Sequence, residues 1–124
     1  MVSLIIPCYN AEKYIQRCLN SVLLQSNKHI QLIIVNDGSI DLSENIILNM
    51  EVKFKQELDE FIYIKQENQG VGAACNNAFK YATGEFVMLL DSDDVILPNS
   101  IELCTKFLRE NEKYGFVRTN GYYV

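Results

Sequence analysis

The chain has 124 residues, a length that fits one domain spanning 1–124 and lets on the order of two-thirds of the unfolded chain's surface be buried. Its 48% hydrophobic and 22% charged residues are ordinary for a globular protein, and no segment is repeated or low in complexity. A formal net charge of -5 argues against a nucleic-acid surface and a polybasic membrane patch, but not against an anionic ligand held through a metal ion.

In chain order, Leu4-Ile5-Ile6 is a short apolar run of the kind that forms a strand buried on both faces. Asn10 is placed to cap a helix over residues 11–26, with Glu12 in its first turn and Ile15, Cys18, Leu19, Val22 and Leu23 at helical spacing. Leu32 to Val35 is the second strand. Asp41-Leu42-Ser43-Glu44 resembles a capping box opening one long helix, with Ile47, Met50, Phe54 and Leu58 on one face. Phe61 to Ile64 is the third strand. Val71, Ala74, Cys75, Ala78, Phe79 and Ala82 mark a third helix, which Gly84 is placed to end. Phe86 to Leu90 is the fourth strand. Pro98 suits the first turn of a fourth helix, with Ile101, Cys104 and Leu108 buried and Gly115 closing it. Phe116 to Thr119 begins a further strand-like segment. Alternating strands and helices predict an α/β fold, a Rossmann-like α/β/α sandwich whose first four strands are parallel and neighbouring.

The four cysteines form no C-x-x-C pair and read as small buried hydrophobes in a reducing cytoplasm. His29 is given no role. The Val2 to Pro7 run is too short for a signal peptide, and no run approaches the ~20 apolar residues of a membrane span.

Ligands of open α/β sheets bind beyond the carboxyl ends of the strands, where this chain places its polar clusters. These are Pro7-Cys8-Tyr9-Asn10, Asn36-Asp37-Gly38-Ser39, Gln66-Glu67-Asn68-Gln69-Gly70 and Asp91-Ser92-Asp93-Asp94. Each alone is explained by caps and turns; their joint occurrence points to a site. Three carboxylates in four positions repel one another unless a cation offsets them, and hard divalent cations share such oxygens with substrate phosphates. Asp37 is either a turn residue or an acceptor for a base imide N–H. Gly70-Val71-Gly72-Ala73-Ala74-Cys75 allows close approach of an anion to a helix N-terminus. Read as G-x-G-x-x-small, with Asp91 about 20 residues on, it also gives a rival: a dinucleotide-binding oxidoreductase of NAD type. Cys75 in the third small position and the long gap after Ile64 count against that rival. A second rival is a noncatalytic α/β module whose acidic rim binds magnesium or a partner.

Ser3 to Asn10, Val35 to Ser39, Asn68 to Gly70 with Ala74 to Asn76, and Ala82 to Val87 leading into Asp91 to Asp94 and Pro98 resemble the family 2 glycosyltransferases. The resemblance runs from Ser3 to about Leu108, and it implies an inverting enzyme of the GT-A fold. It implies that Pro7, Tyr9 and Glu12 flank the base and ribose, that Asp37 binds a uracil edge, and that Gly70 lies along the nucleotide. Asp91 would reach the ribose or sugar. Asp93 would ligate manganese or magnesium on the diphosphate of a UDP-sugar, with Asp91 or Asp94 as a further ligand. The acceptor would be a carbohydrate or glycolipid hydroxyl, as in polysaccharide biosynthesis. Where the family usually has arginine, this chain has Cys75. The general base is expected beyond Val124, in an acceptor-binding half. The chain is therefore expected to act as a donor-binding portion, itself inactive, with uncovered strand edges that favour a homodimer. Its place would be cytoplasmic, with membrane association through other segments.

Overall fold

Two strands carry the centre of the molecule because every one of their residues is buried: β1 (Val2–Cys8) and β2 (Ile30–Asp37). The less buried β3 (Glu60–Gln66) and β4 (Phe86–Leu89) form the edges. In this computed structural model, which describes residues 1–123, the four strands pair in parallel in the order β3-β2-β1-β4. Side chains alternate across a strand, so the sheet has two apolar faces. Leu4, Ile6, Leu32 and Ile34 face α1 (Ile15–Leu23), α2 (Ser43–Asn49), α3 (Glu51–Glu57) and α5 (Ser100–Glu110), through Ile15, Leu19, Ile47, Phe54 and Ile101. Ile5, Ile33 and Val35 face α4 (Val71–Phe79), whose Ala74 and Ala78 let the helix lie close.

The expected α/β/α architecture is present, with one difference of topology. The third and fourth strands are not neighbours; they occupy opposite edges. The chain runs outward from β1 through β2 to β3, then crosses back beneath α4 to place β4 on the other side of β1. Reversing the direction of travel moves a right-handed crossover to the other face, which is why α4 lies apart from the remaining helices. The reversal makes the β1/β4 junction the switch point, where ligand crevices of such sheets open. Pro7 contributes to that opening. Leu90 N donates to Ile5 O, and by the alternation of the ladder the next rung needs an N–H at residue 7. Proline has none, so the two strands part there.

Several boundaries differ from expectation. The first helix starts at Ile15 rather than residue 11, because Asn10 takes a left-handed backbone (φ 47°) and its side-chain oxygen accepts from Ile40 N instead of capping. The long second helix divides at Met50, whose N–H reaches back three residues to Ile47 O in a tight turn. The capping box does not form: α2 starts after Leu42, Asp41 Oδ1 accepts from Ser43 N in an Asx turn, and Glu44 turns away to Tyr63 and Lys65. The third helix ends at Phe79, so Gly84 does not cap it. Pro98 precedes the last helix, whose buried positions are Ile101 and Thr105, with Cys104 and Leu108 only half-buried. That helix ends at Glu110, well before Gly115. Phe116 to Thr119 is not a strand; Phe116 is exposed and the segment has no pairing partner among the described residues. No helix among the described residues is long and apolar enough to cross a membrane.

The lower end of the sheet holds a buried polar knot. Ser3 Oγ donates to Gln31 Oε1 (2.5 Å) and accepts from Gly84 N (2.8 Å). Gln31 Oε1 also accepts from Thr83 N, and its Nε2 donates to Glu60 Oε2 and Tyr81 O. Every polar group in this knot is therefore satisfied, as burial requires. The knot ties the segment before β4 to both central strands, and so sets where β4 delivers Asp91.

Candidate nucleotide and metal site

At the switch point lies an open cleft of about 610 Å³. It is lined by Pro7, Cys8, Tyr9, Asn10, Ala11 and Tyr14 from the end of β1 and the turn into α1. Asp37 from β2, Asn68, Gly70 and Val71 from the start of α4, and Asp91, Ser92 and Asp93 from the end of β4 complete it. Six of the residues singled out in the sequence, Pro7, Tyr9, Asp37, Gly70, Asp91 and Asp93, thus meet in one cleft. Glu12 and Asp94 do not line it. Cys8, Asn10, Ala11, Tyr14, Asn68, Val71 and Ser92 complete the wall, and the sequence assigns none of them a site role of its own.

Glu12 serves as a brace. Its Oε2 accepts from Leu42 N and its own N–H donates to Asp41 Oδ2, both at 3.0 Å. Asn10 N donates to Ser39 Oγ, and Ala11 N to Ser43 Oγ. Together with the Asn10 to Ile40 bond, these contacts lock the loop after β1 to the loop after β2. Tyr9, half exposed, is presented over the cleft from this rigid double loop.

Asp37 is the last residue of β2 and is buried. Its Oδ1 accepts from Gln66 Nε2 (2.9 Å) and Gln69 N (2.8 Å), and its Oδ2 from Gly70 N (2.9 Å). Asn68 Nδ2 lies 3.5 Å from Oδ2, a marginal contact that leaves room for another donor. Gly38 permits this closeness: a Cβ there would meet Asn68 N at 2.8 Å, and the backbone is left-handed (φ 76°). Burial works to raise the Asp37 carboxyl, but the bonds from Gln66, Gln69 N and Gly70 N outweigh it and hold the pKa below its ordinary value. Asp41 is lowered in the same way, burial being outweighed by Ser43 and the Glu12 N–H. A carboxyl depressed in the folded state stabilises the fold above its unfolded pKa of about 3.9 and loses that contribution as pH falls through the folded value. Melting temperature should therefore stay level from pH 7 to about 5 and drop below pH 4. Asp37→Asn, which opposes an amide to backbone donors, should lose about 1–3 kcal/mol already at pH 7 and show a shallower acid limb in the same melts.

Asp91, Asp93 and Asp94 are all exposed, and one carboxylate oxygen from each lies within 4.8 Å of the others. Asp94 N donates to Asp91 O, a turn that bunches the three side chains. Beneath them Cys18 Sγ approaches Asp91 O at 3.5 Å. Burial, then the nearby Asp94, Cys8, Asp93 and Asp91, pushes the Cys18 thiol up to about 12. Cys8 is raised by burial as well, so both buried cysteines are inert thiols, as their apolar settings suggested. Cys75 is half-buried, and its thiol is raised by burial and by Asp91.

The family model described as Glycosyl transferase family 2 matches residues 3–123. The chain belongs to that family. An uncharacterised glycosyltransferase of Nostoc is 39% identical over 114 residues, covering 92% of this chain and 34% of the relative. Glycosyltransferase GlyA of Streptococcus pneumoniae is 37% identical over 109 residues, covering 88% and 15%. Chondroitin synthase of Escherichia coli is 36% identical over 126 residues, covering 98% and 17%. This family 2 chain thus spans about a third or less of those relatives' length. Among solved structures, Staphylococcus aureus TarS 1-349 in complex with UDP matches with a TM-score of 0.77 and 34% identity, covering 90% of this chain and 32% of that 1-349 chain. A mannosyltransferase of Pyrobaculum calidifontis, in complex with GDP-Man and Mn2+, matches with a TM-score of 0.80 at 22% identity, a likeness of fold. The GT-A fold expected from the resemblance is the fold observed. Family membership displaces the dinucleotide-binding alternative, whose G-x-G segment here opens α4 and is tied to Asp37 through the Gly70 N–H.

Proposed function

We propose that this chain binds the nucleoside-diphosphate part of a UDP-sugar for transfer of the sugar, with inversion, to a hydroxyl of a carbohydrate or glycolipid acceptor. The observation that carries the proposal is the cleft at the switch point, with an acceptor carboxylate at one end and a bunched carboxylate cluster at the other. Asp37 Oδ2 would accept the imide N–H of uracil. Pro7 and Tyr9 would flank the base and ribose, Gly70 would pass along the nucleotide, and Asp91 would meet the ribose or sugar. Glu12 would act behind Tyr9 by bracing its loop. Three exposed carboxylate oxygens so close together suit a hard divalent cation that shares its shell with phosphate. Asp93 would hold manganese or magnesium, with Asp91 or Asp94 beside it, and the ion would act as a Lewis acid toward the leaving diphosphate. These carboxylates are committed to the metal and Asp37 to its loop. The base that deprotonates the acceptor is therefore not drawn from them.

Thermal shifts with UDP, GDP and NAD, each with and without manganese, test the reading. Metal-dependent stabilisation by UDP above GDP is expected. A response to NAD without metal, or to metal with no nucleotide effect, would overturn it. The reading extends to self-association. Among the described residues the outer edge of β4 has no partner strand, and Val87 and Leu89 of that strand are exposed. Light scattering at high concentration should report a dimer; a strictly monomeric species would count against this edge as an interface.

A further inference from the structure

Gln66 closes β3 directly opposite Asp37 in the β2–β3 register, yet it does not line the cleft. Its amide makes two bonds: Nε2 donates to Asp37 Oδ1 (2.9 Å), and Oε1 accepts from Asn77 Nδ2 (3.0 Å) in the last turn of α4. An ionised carboxylate only accepts, so Gln66 must turn its amino group to Asp37 and its oxygen away. That oxygen then needs a donor behind it, and Asn77 supplies one. With its orientation set from both sides, Gln66 and the Gln69 N–H saturate Oδ1. The remaining accepting capacity of Asp37, which lines the cleft, lies on Oδ2, where Gly70 N donates and Asn68 Nδ2 makes only the marginal 3.5 Å contact.

We propose that Gln66 is a positioning residue, seated by Asn77, which holds Asp37 so that its free oxygen meets a ring N–H and thereby sets the preference for uracil over cytosine. The inference rests on the reading of Asp37 as the base acceptor. Uracil offers an N–H at the ring position where neutral cytosine offers a lone pair. A fixed acceptor therefore attracts the first and repels the second, whereas a carboxylate free to rotate discriminates less.

The test is calorimetric titration of UDP and CDP, with manganese, into the wild type and four variants. Gln66→Met keeps the volume and removes both bonds. It should weaken UDP about tenfold and leave CDP nearly unchanged, so the UDP-over-CDP ratio falls about tenfold. Asn77→Ala, on a helix where alanine is favoured, should fold normally and lower the ratio about threefold. Gln66→Glu should lose the ratio at pH 8 and recover part of it near pH 6, where the two carboxyls share a proton that the glutamate can donate. A purely structural role would weaken UDP and CDP alike and show no recovery of the ratio with acid; either result overturns the proposal. Asp37→Asn separates the two levels. If it removes the wild-type preference while Gln66→Met and Asn77→Ala do not, the positioning role is wrong and the acceptor role stands. If the wild type has no preference, or Asp37→Asn retains it, the acceptor reading fails and the positioning role fails with it.

Discussion

Asp93→Ala should abolish the manganese-dependent part of UDP binding and leave the melting temperature unchanged or slightly raised. The two halves of that result have one cause. Asp93 is exposed, its side chain makes no hydrogen bond among the described residues, and it shares a small volume with Asp91 and Asp94. Like charges so close repel one another, and removing one relieves the fold while depriving a cation of a ligand. Altering even an outer-shell partner of a metal ligand typically costs 10–100-fold in metal affinity, so losing a direct carboxylate should cost about 100-fold or more. Asp94→Ala should cost less, because Asp94 stands outside the cleft that Asp91 and Asp93 line. Titrating manganese into wild type and both variants at fixed UDP ranks the three carboxylates. Full metal-dependent binding by Asp93→Ala would remove it from the metal's shell.

The rim of this site was legible in the sequence because buried parallel strands are written as apolar runs. Where each run gives way to polar residues, the strand reaches its carboxyl end. Thus Val35 into Asp37 and Leu90 into Asp91 were placed correctly without knowledge of their neighbours. What each polar residue does there was less legible, because the partners are distant in sequence. Glu12 looks like a cleft residue from its place after β1, yet its carboxylate is taken by Leu42, 30 residues away. Asp37 followed by glycine looks like a turn, and only the return of the chain at Gln66 to Gly70 shows that it organises a second loop. The strand order was illegible for the same reason. Long crossovers announce parallel strands, but the jump of β4 past β1 depends on which face α4 covers. Ser3 and Gln31 are polar residues inside apolar strands, and they are partners in register. A buried polar pair in adjacent central strands implies a third group to satisfy, and here that group is the chain leading into β4.

That knot underlies the largest expected loss of stability, from Gly84→Ala. A Cβ at Gly84 would lie 2.5 Å from Ser3 N, 2.8 Å from Ser3 Oγ and 2.9 Å from Met1 O. Two of these three atoms are backbone and cannot swing aside. Retreat of Gly84 would stretch its own bond to Ser3 Oγ, the Glu85 N to Met1 O bond and the Thr83 N to Gln31 bond together. Overpacking costs about 1–3 kcal/mol and each of the three hydrogen bonds about 1 kcal/mol, for a total of about 4–6 kcal/mol. Against a total stability of about 5–15 kcal/mol this should lower the melting temperature by about 10 °C or more. Gly72→Ala is the contrasting case. Its added Cβ meets nothing within 4 Å, near the start of a helix, so it should raise stability by up to about 1 kcal/mol. Because β4 leads directly from this knot to the cluster at Asp91, any Gly84→Ala protein that still folds should bind UDP more weakly although no cleft residue has changed. Undiminished binding alongside a large drop in melting temperature would mean that the β1–β4 ladder, from Val2 to Ile5, holds the site in place without the knot.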